Sequence, residues 1–224
     1  MTEKDGSLKP VSTSGTKNKG SVYILPGYAH NLVRRYFSHH GYAVVETLNE
    51  SDIVCFLGGE DINPRLYQEQ PAGAEFWDDN RDKFEIEVYA KTGDRLKVGI
   101  CRGGQLLNVL NGGSLWQDVN NHGSGVHTVT DFITQEKVIL NSLHHQQMRP
   151  TSDAEVIAGC NLSSAKDGYS AYWTSSPGSE DVDVEAVWYS KTKSLCFQPH
   201  PQLQPDGPTG VYFMSLMNRY WHAA

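Results

Sequence analysis

A cysteine between a predicted strand and a predicted helix is the residue of this chain best suited to covalent chemistry. The apolar run Leu96–Ile100 predicts a buried strand, and the leucine-rich stretch Leu106–Leu110 has helical spacing. Cys101 lies at the turn between them, where Gly99 and Gly103 give the backbone the freedom that a nucleophile elbow needs. A helix N-terminus carries partial positive charge, so this position favours the nucleophilic thiolate.

The same pattern also fits a small buried core residue, because unpaired cysteines are often buried. A cysteine nucleophile needs a base, normally a histidine that is near in space. Of nine histidines, His200 is the best candidate, because it follows a predicted strand, Ser194–Gln198, and lies between two prolines that would hold it rigidly. Taken alone, His200 fits a surface loop better than a catalytic site.

The elements around these residues predict an α/β fold. Three apolar runs near the start, with a helical pattern over Asn31–His40 between the first two, predict strands at Ser21–Leu25, Tyr42–Leu48 and Asp52–Leu57. Strands that alternate with helices form a parallel sheet covered on both faces, and ligands bind such sheets at the carboxyl ends of the strands. Gly58, Gly59 and Cys101 all follow strands, so we expect them in one crevice.

The remaining chain divides into predicted helices, short strands and two irregular stretches. Residues 60–82 form a long irregular segment, a type that is usually functional or disordered. Helices are predicted at Asp82–Thr92 and Pro208–Trp221, and residues 159–181 as a surface excursion. Further strands are predicted at Ser114–Val119, Val126–Thr130, Lys137–Leu140, Ala154–Ala158 and Val182–Tyr189. Residues 1–20 are polar and predict a flexible tail before one domain over residues 21–224.

Composition excludes several classes of function. The 224 residues carry a formal net charge of −7 without a long basic cluster, which argues against nucleic-acid binding. No apolar run is long enough to span a bilayer, no signal peptide is apparent, and the four cysteines are widely spaced, which favours a cytoplasmic protein. We expect no metal and no cofactor, because the histidine pairs His39–His40 and His144–His145 lack ligand spacing and no P-loop is present.

Several motifs in one order resemble a known family. They are Gly58–Pro64, Asn80–Asp82, Gly99–Gln105, Asn108–Asp118, Asn141–Gln146 and Phe197–Gln202. Together they resemble the class I glutamine amidotransferases, and most closely the peptidase C26-like branch of γ-glutamyl hydrolases, which includes γ-glutamyl-γ-aminobutyrate hydrolases. The resemblance covers the chain from about residue 21 to its end. It implies a flavodoxin-like three-layer sandwich with a mostly parallel central sheet and a nucleophile elbow.

The resemblance also implies roles for individual residues. Cys101 would attack a γ-glutamyl amide and form a thioester, while His200 would hold the thiolate as an ion pair and protonate the leaving amine. Backbone N–H groups of Arg102 and of the turn at Gly59 and Glu60 would form the oxyanion hole, where one donor is worth about 3 kcal/mol. The substrate would be bound by Gln105, Ser142 and His144. Local turn hydrogen bonds explain Ser142 and His144 equally well, and a surface salt bridge is the simpler role for the Arg102 side chain.

One position departs from the family pattern. Gln202 stands where the family usually has the glutamate of a catalytic triad. A glutamine can accept a hydrogen bond from the imidazole and orient it, but it cannot stabilise the imidazolium by charge. We therefore predict an active Cys101–His200 dyad oriented by Gln202, with lower activity than a charged triad. The alternatives are a glutaminase subunit that delivers ammonia to a separate synthase, and a non-catalytic binding module that kept the fold.

Overall fold

The computed structural model describes residues 19–166, 169–170 and 182–221. The predicted tail over residues 1–20 lies outside this part of the chain except for residues 19 and 20, as do residues 167–168 and 171–181 of the predicted surface excursion. The helices are α1 (His30–His39), α2 (Asp79–Lys91), α3 (Arg102–Leu110) and α4 (Pro208–Trp221), with 3-10 turns at Leu48–Glu50, Pro64–Tyr67 and Pro201–Leu203. The strands are β1 (Ser21–Ile24), β2 (Ala43–Val45), β3 (Ile53–Phe56), β4 (Leu96–Ile100), β5 (Ser114–Trp116), β6 (Val126–Asp131), β7 (Lys137–Asn141), β8 (Gln147–Arg149), β9 (Glu155–Cys160), β10 (Ala165–Lys166), β11 (Tyr169–Ser170), β12 (Asp183–Tyr189) and β13 (Ser194–Phe197).

The strands that lead to the candidate site form a parallel arrangement. β2, β1, β3, β4 and β13 lie side by side in that order, and every neighbouring pair is parallel. β3, β4 and β13 are buried along their whole length, as expected of strands covered by helices on both faces. Apolar residues of α1 and α4 pack in one core cluster, and those of α2 and α3 in the other. The predicted flavodoxin-like three-layer α/β fold is confirmed.

The sheet continues beyond β13 with antiparallel strands. β12, β9, β6 and β7 follow in that order, and β8 joins β12 to β5. β8 is absent from the sequence prediction, because its three residues, Gln-Met-Arg, have no apolar alternation. The predicted strand Tyr42–Leu48 is also too long, because the chain leaves β2 at Val45 and enters a 3-10 turn at Leu48.

α2 begins one turn earlier than the predicted start at Asp82. Asp78 caps it, since its carboxylate accepts hydrogen bonds from the backbone N–H groups of Asn80 at 2.9 Å and Arg81 at 3.3 Å. The longer helix places Arg81 and Glu85 four residues apart on one face, where their side chains pair at 3.0 Å. This face meets the strand ends at which Cys101 and Gly59 lie.

Among the described residues, no helix is both long and apolar enough to cross a membrane.

Candidate active site

Cys101 occupies a strained corner between β4 and α3. Its backbone angles are φ 53° and ψ −116°, a conformation that is costly for a residue with a Cβ atom. The corner is held because the Cys101 N–H donates to the Phe197 carbonyl of β13 at 2.8 Å. Strain at the N-terminus of a helix that follows a buried strand is the geometry of a nucleophile elbow.

Two glycines make this corner possible by close packing. A Cβ on Gly103 would lie 2.2 Å from the Phe56 carbonyl oxygen of β3. A Cβ on Gly99 would lie 2.4 Å from the Gly103 carbonyl. Any side chain at either position would push α3 off the sheet, so the two glycines bring the helix N-terminus against the strand ends.

Burial favours the protonated form of the Cys101 thiol. Burial raises the pKa of Cys101 to about 12, although the backbone N–H and the guanidinium of Arg102 act in the opposite direction. The side-chain amide of Gln198 also donates weakly to Sγ, at 3.8 Å. The sequence argument that the helix N-terminus would favour the thiolate is therefore outweighed by desolvation.

Hydrogen bonds to both the N–H and the carbonyl of His200 hold this residue beside Cys101. Its N–H donates to the Asn141 side-chain oxygen at 2.8 Å, and the Asn141 amide donates to its carbonyl at 2.8 Å. A Cβ on Gly58 would lie 3.3 Å from His200 Cε1 and 3.5 Å from Cys101 Cβ, so only a glycine separates the two side chains. Burial lowers the pKa of His200, and its Nε2 has no hydrogen-bond partner of normal geometry within the described residues.

Gln202 contacts the other nitrogen of His200. Its Nε2 lies 3.0 Å from His200 Nδ1, and an amide nitrogen can only donate, so Nδ1 accepts and the imidazole proton is on Nε2. The sequence predicts the opposite direction, with Gln202 as the acceptor. Its Oε1 is buried without a hydrogen-bond partner among the described residues. A half-turn of the amide would exchange the two atoms and let Oε1 accept from a protonated Nδ1.

The turn at Gly59 and Glu60 is anchored by Arg81, which the sequence analysis did not assign to the site. Arg81 Nη2 donates to the carbonyls of Leu57 and Gly58, each at 3.0 Å, and Nη1 binds the Glu60 carboxylate at 2.9 Å. A Cβ on Gly59 would lie 2.1 Å from Arg81 Nη1, so this contact requires a glycine. Arg81 thus fixes the backbone that was predicted to contribute to the oxyanion hole.

The Arg102 side chain is directed away from the substrate space. It is only 1% exposed, and its guanidinium binds the carboxylates of Asp82 and Glu85, each at 2.5 Å. The expected surface salt bridge is therefore a buried one, and the guanidinium is not available for a substrate carboxylate. Its backbone N–H still lies beside Cys101 Sγ, as an oxyanion donor must.

Two cavities meet at Cys101 and share four lining residues, Gly59, Glu60, Cys101 and Leu143. The first has a volume of about 270 Å³ and is lined further by Gln105, His144 and His145, with acidic groups at Asp61 and Glu75. We call it the Gln105 cavity. The second has a volume of about 570 Å³ and is lined further by Gly27, Tyr28, Arg81 and His200. We call it the His200 cavity.

The three predicted substrate-binding residues differ in their placement. Gln105 and His144 line the Gln105 cavity. The Gln105 amide donates to the Gln146 carbonyl at 3.1 Å and to the Gln198 side-chain oxygen at 3.3 Å. Ser142 lines neither cavity, and its hydroxyl donates to the His122 carbonyl at 2.7 Å. The structure therefore does not bring Ser142 to the substrate space.

His145 supplies a positive charge that the sequence analysis did not predict. Its two ring nitrogens bind the carboxylates of Asp61 at 2.9 Å and Asp118 at 3.3 Å. The hydrogen bond to Asp61 is the largest cause that raises the pKa of His145 to about 9, so the ring is an imidazolium at neutral pH. The signal that could have found it is its position in the motif Asn141–Gln146, next to a pocket residue.

Comparison with known proteins places this geometry in a family. The family model for Peptidase C26 matches residues 37–169, which is more than half of the chain. The chain belongs to the Peptidase C26 family. The matched stretch contains Cys101 but ends before His200 and Gln202.

Curated relatives agree with this class I glutamine amidotransferase-like assignment. The glutamine amidotransferase-like protein YvdE homolog of Lactococcus lactis subsp. cremoris is 33% identical over an alignment of 120 residues, and the match covers 44% of this chain and 64% of that protein. The chain spans between 51% and 64% of the length of the curated relatives that it matches.

Two solved structures from Thermotoga maritima share the fold of this Peptidase C26 member. The structure of PurLQS matches with a TM-score of 0.57 and 16% identity, over 89% of this chain and 97% of that chain. A glutamine amidotransferase matches with a TM-score of 0.56 and 13% identity, over 91% of this chain and 84% of that chain. At such low identity these likenesses support the fold alone.

Proposed function

We propose that this chain hydrolyses the γ-glutamyl amide bond of glutamine or of a γ-glutamyl amine through a thioester on Cys101. The observation that carries the proposal is the meeting of two cavities at Cys101, with His200 in only one of them. A nucleophile at such a junction can hold an acyl group on one side and a leaving group on the other. This division suits a substrate that is cleaved into glutamate and an amine.

Charge assigns the two ends of the substrate. In the Gln105 cavity, the Glu75 carboxylate can pair the α-amino group of a γ-glutamyl moiety. Both N–H groups of the His145 imidazolium bind Asp61 and Asp118, so it can attract the α-carboxylate through its charge and not through a hydrogen bond. The His200 cavity then takes the amine. Its larger volume leaves room for an amine bigger than ammonia, which favours a γ-glutamyl amine over glutamine.

The chemistry begins from a neutral pair. Both pKa shifts favour the thiol and the neutral imidazole. With the Gln202 amide turned so that Oε1 accepts from Nδ1–H, His200 Nε2 has a free lone pair and acts as a general base that takes the Cys101 proton as Sγ attacks the γ-carbonyl. The oxyanion accepts hydrogen bonds from the N–H of Arg102 and from the turn that Arg81 holds. His200 then protonates the leaving amine, the C–N bond breaks, and a thioester remains.

Water completes the turnover. After the amine has left, a water molecule in the His200 cavity can give a proton to His200 Nε2 and attack the thioester carbonyl. The C–S bond breaks, Cys101 recovers its proton from His200, and glutamate leaves the Gln105 cavity. Gln202 orients the imidazole in both steps, because its Oε1 accepts from Nδ1–H while Nε2 takes and returns the proton.

The test is release of glutamate and amine by the purified chain, with glutamine and a panel of γ-glutamyl amines as substrates. We expect turnover that is abolished by Cys101→Ala and kept by Cys196→Ala, a buried cysteine in β13 that lines neither cavity. Far-ultraviolet circular dichroism would verify that both variants fold. Turnover of γ-glutamyl amines in preference to glutamine supports the proposal in full.

Other outcomes lead to the two alternatives. Cys101-dependent release of ammonia from glutamine only on addition of a synthase would support a glutaminase subunit and contradict the free-standing hydrolase. If Cys101 also failed to react with an electrophilic glutamine analogue, the result would contradict both enzymes and favour a binding module.

A further inference from the structure

We propose that His122, His144 and Glu185 form a binding site for one divalent transition-metal ion of the zinc class, behind the wall of the Gln105 cavity. His122 precedes β6, His144 follows β7, and Glu185 lies on β12. One ligand atom from each residue lies within 4.8 Å of the other two. All three are buried: His122 and Glu185 are inaccessible, and His144 is 7% exposed.

The hydrogen bond of His144 Nδ1 leaves a lone pair on the other ring nitrogen, Nε2. Nδ1 lies 3.0 Å from the Gln146 carbonyl, which can only accept, so Nδ1 carries the proton. Nε2 therefore has a lone pair, and it lies 3.9 Å from Glu185 Oε1, which is also an acceptor.

His122 can present its Nδ1 to the same point when its proton lies on Nε2, 3.2 Å from the Asp183 carboxylate. Nδ1 also lies 3.3 Å from Ser142 Oγ, whose hydroxyl donates to the His122 carbonyl, so without a cation Nδ1 carries the proton and metal binding would move it to Nε2. Nδ1 lies 3.6 Å from Glu185 Oε1. Histidines that bind metals typically donate their second N–H to a carboxylate or a backbone carbonyl, and these two histidines have one partner of each kind.

The Glu185 carboxylate completes the set. His127 Nε2 lies 3.1 Å from Oε1 and orients the group, while Oε2 has no hydrogen-bond partner among the described residues. The His144 Nε2 lone pair and the Glu185 carboxylate face each other inside the protein and repel unless a cation or a proton lies between them. In a tetrahedral zinc site with bonds near 2.1 Å the ligands are about 3.4 Å apart, so contacts of 3.6 and 3.9 Å need little movement.

The ligand chemistry selects the metal. Imidazole nitrogens with one carboxylate suit zinc and its neighbours, whereas magnesium and calcium prefer oxygen ligands. The expectation of no metal site considered only histidines that are adjacent in sequence, and here the sheet brings together residues from three distant segments. The ion would tie the stretch Leu143–Gln146, which forms one wall of the Gln105 cavity, to β12.

The first experiment uses the complete wild-type chain and needs no activity assay. The protein is treated with a strong chelator, dialysed and titrated with Co²⁺, whose visible absorption reports four-coordinate nitrogen and oxygen ligands. We expect one equivalent to bind, the absorption to be displaced by one equivalent of Zn²⁺, and the melting temperature to rise with bound metal. No absorption at saturating Co²⁺ would overturn the proposal, and it would indicate that water or protons, not a metal ion, occupy the space between these side chains.

Variants locate the site. Glu185→Gln keeps the size of the side chain but removes its charge, and we expect affinity for Co²⁺ to fall by about 100-fold or more. His127→Gln, which removes only the group that orients Glu185, should weaken binding by about tenfold and provides a test if Glu185→Gln does not fold. The matched control is His39→Asn, which breaks an exposed contact of 2.8 Å between a histidine and Asp206. Equal binding by wild type and all variants would place the ion elsewhere and refute the site.

Discussion

At the scale of single residues, the Cys101–His200 pair is governed by burial more than by the helix N-terminus. Desolvation penalises the thiolate and the imidazolium alike, so the resting pair is neutral although the Arg102 N–H and charge lie beside Sγ. In the proposed reaction, the proton transfer is completed only as the substrate develops charge in the oxyanion hole, so electrophiles that do not fill the site should react slowly with Cys101.

This charge state predicts the pH dependence of alkylation. With the pKa of Cys101 raised to about 12, the thiolate fraction grows about tenfold per pH unit throughout the range from 7 to 10. The rate of carbamidomethylation at Cys101 by iodoacetamide, followed by peptide mass spectrometry, should rise with the same slope and reach no plateau. A plateau below pH 8 would instead indicate a preformed thiolate–imidazolium pair.

The amide of Gln202 predicts a gain of activity on substitution. In Gln202→Glu the new carboxylate can only accept, so it favours the proton on Nδ1 and stabilises the imidazolium. Because burial holds the pKa of His200 below its usual value, we expect the acidic limb of the kcat/KM profile to move to higher pH and kcat to increase. An unchanged kcat and profile would contradict the orienting role of Gln202. Gln202→Ala, which removes the contact at 3.0 Å, serves as the comparison and should lose activity.

At the scale of elements, the site depends on α2 and α3 meeting the ends of β3 and β4. Two arginines from these helices, Arg81 and Arg102, share the carboxylate of Glu85. Arg102 fixes α3 to α2, and Arg81 fixes α2 to the turn that follows β3. Both arginines act through the backbone that they position, which explains why neither guanidinium is needed for substrate contact.

This arrangement predicts a selective effect of Arg81→Lys. A lysine cannot reproduce the fork that binds two carbonyls and two carboxylates, so the Gly59–Glu60 turn loses its alignment with the oxyanion. We expect kcat to fall by about 100-fold, the order of effect of losing one oxyanion donor, with a much smaller change in KM. The control is Arg34→Lys at an exposed pair with Glu46, which should leave both constants unchanged. A rise in KM with kcat intact would show that Arg81 binds substrate instead.

At the scale of the whole molecule, local patterns were sufficient for the elbow and for the parallel strands. Gly99, Cys101 and Gly103 are close in sequence, and buried parallel strands have apolar runs that need no partner to be identified. β8 and the direction of Ser142 could not be predicted, because pairing between distant strands decides both. The same limit applies to His145, whose charge depends on Asp61 and Asp118 from remote loops.

His145 also ties together three distant segments, and this predicts how stability depends on pH. Its pKa in the folded state is about 9, raised above the usual 6.5, so its stabilising contribution is complete below pH 6.5 and is lost as the pH rises through 9. We expect the urea midpoint of the wild type to fall between pH 7 and pH 10 more steeply than that of His145→Gln, a variant that cannot titrate. Comparing the two proteins removes the contribution of other titrating groups to the pH dependence, such as that of the buried Lys97, whose pKa is lowered to about 8. Parallel profiles of the urea midpoint against pH would contradict a stabilising role for the His145 imidazolium.

A rise in KM over the same pH interval would connect this contact to substrate binding, because the imidazolium that joins the three segments is the charge that we assign to the α-carboxylate.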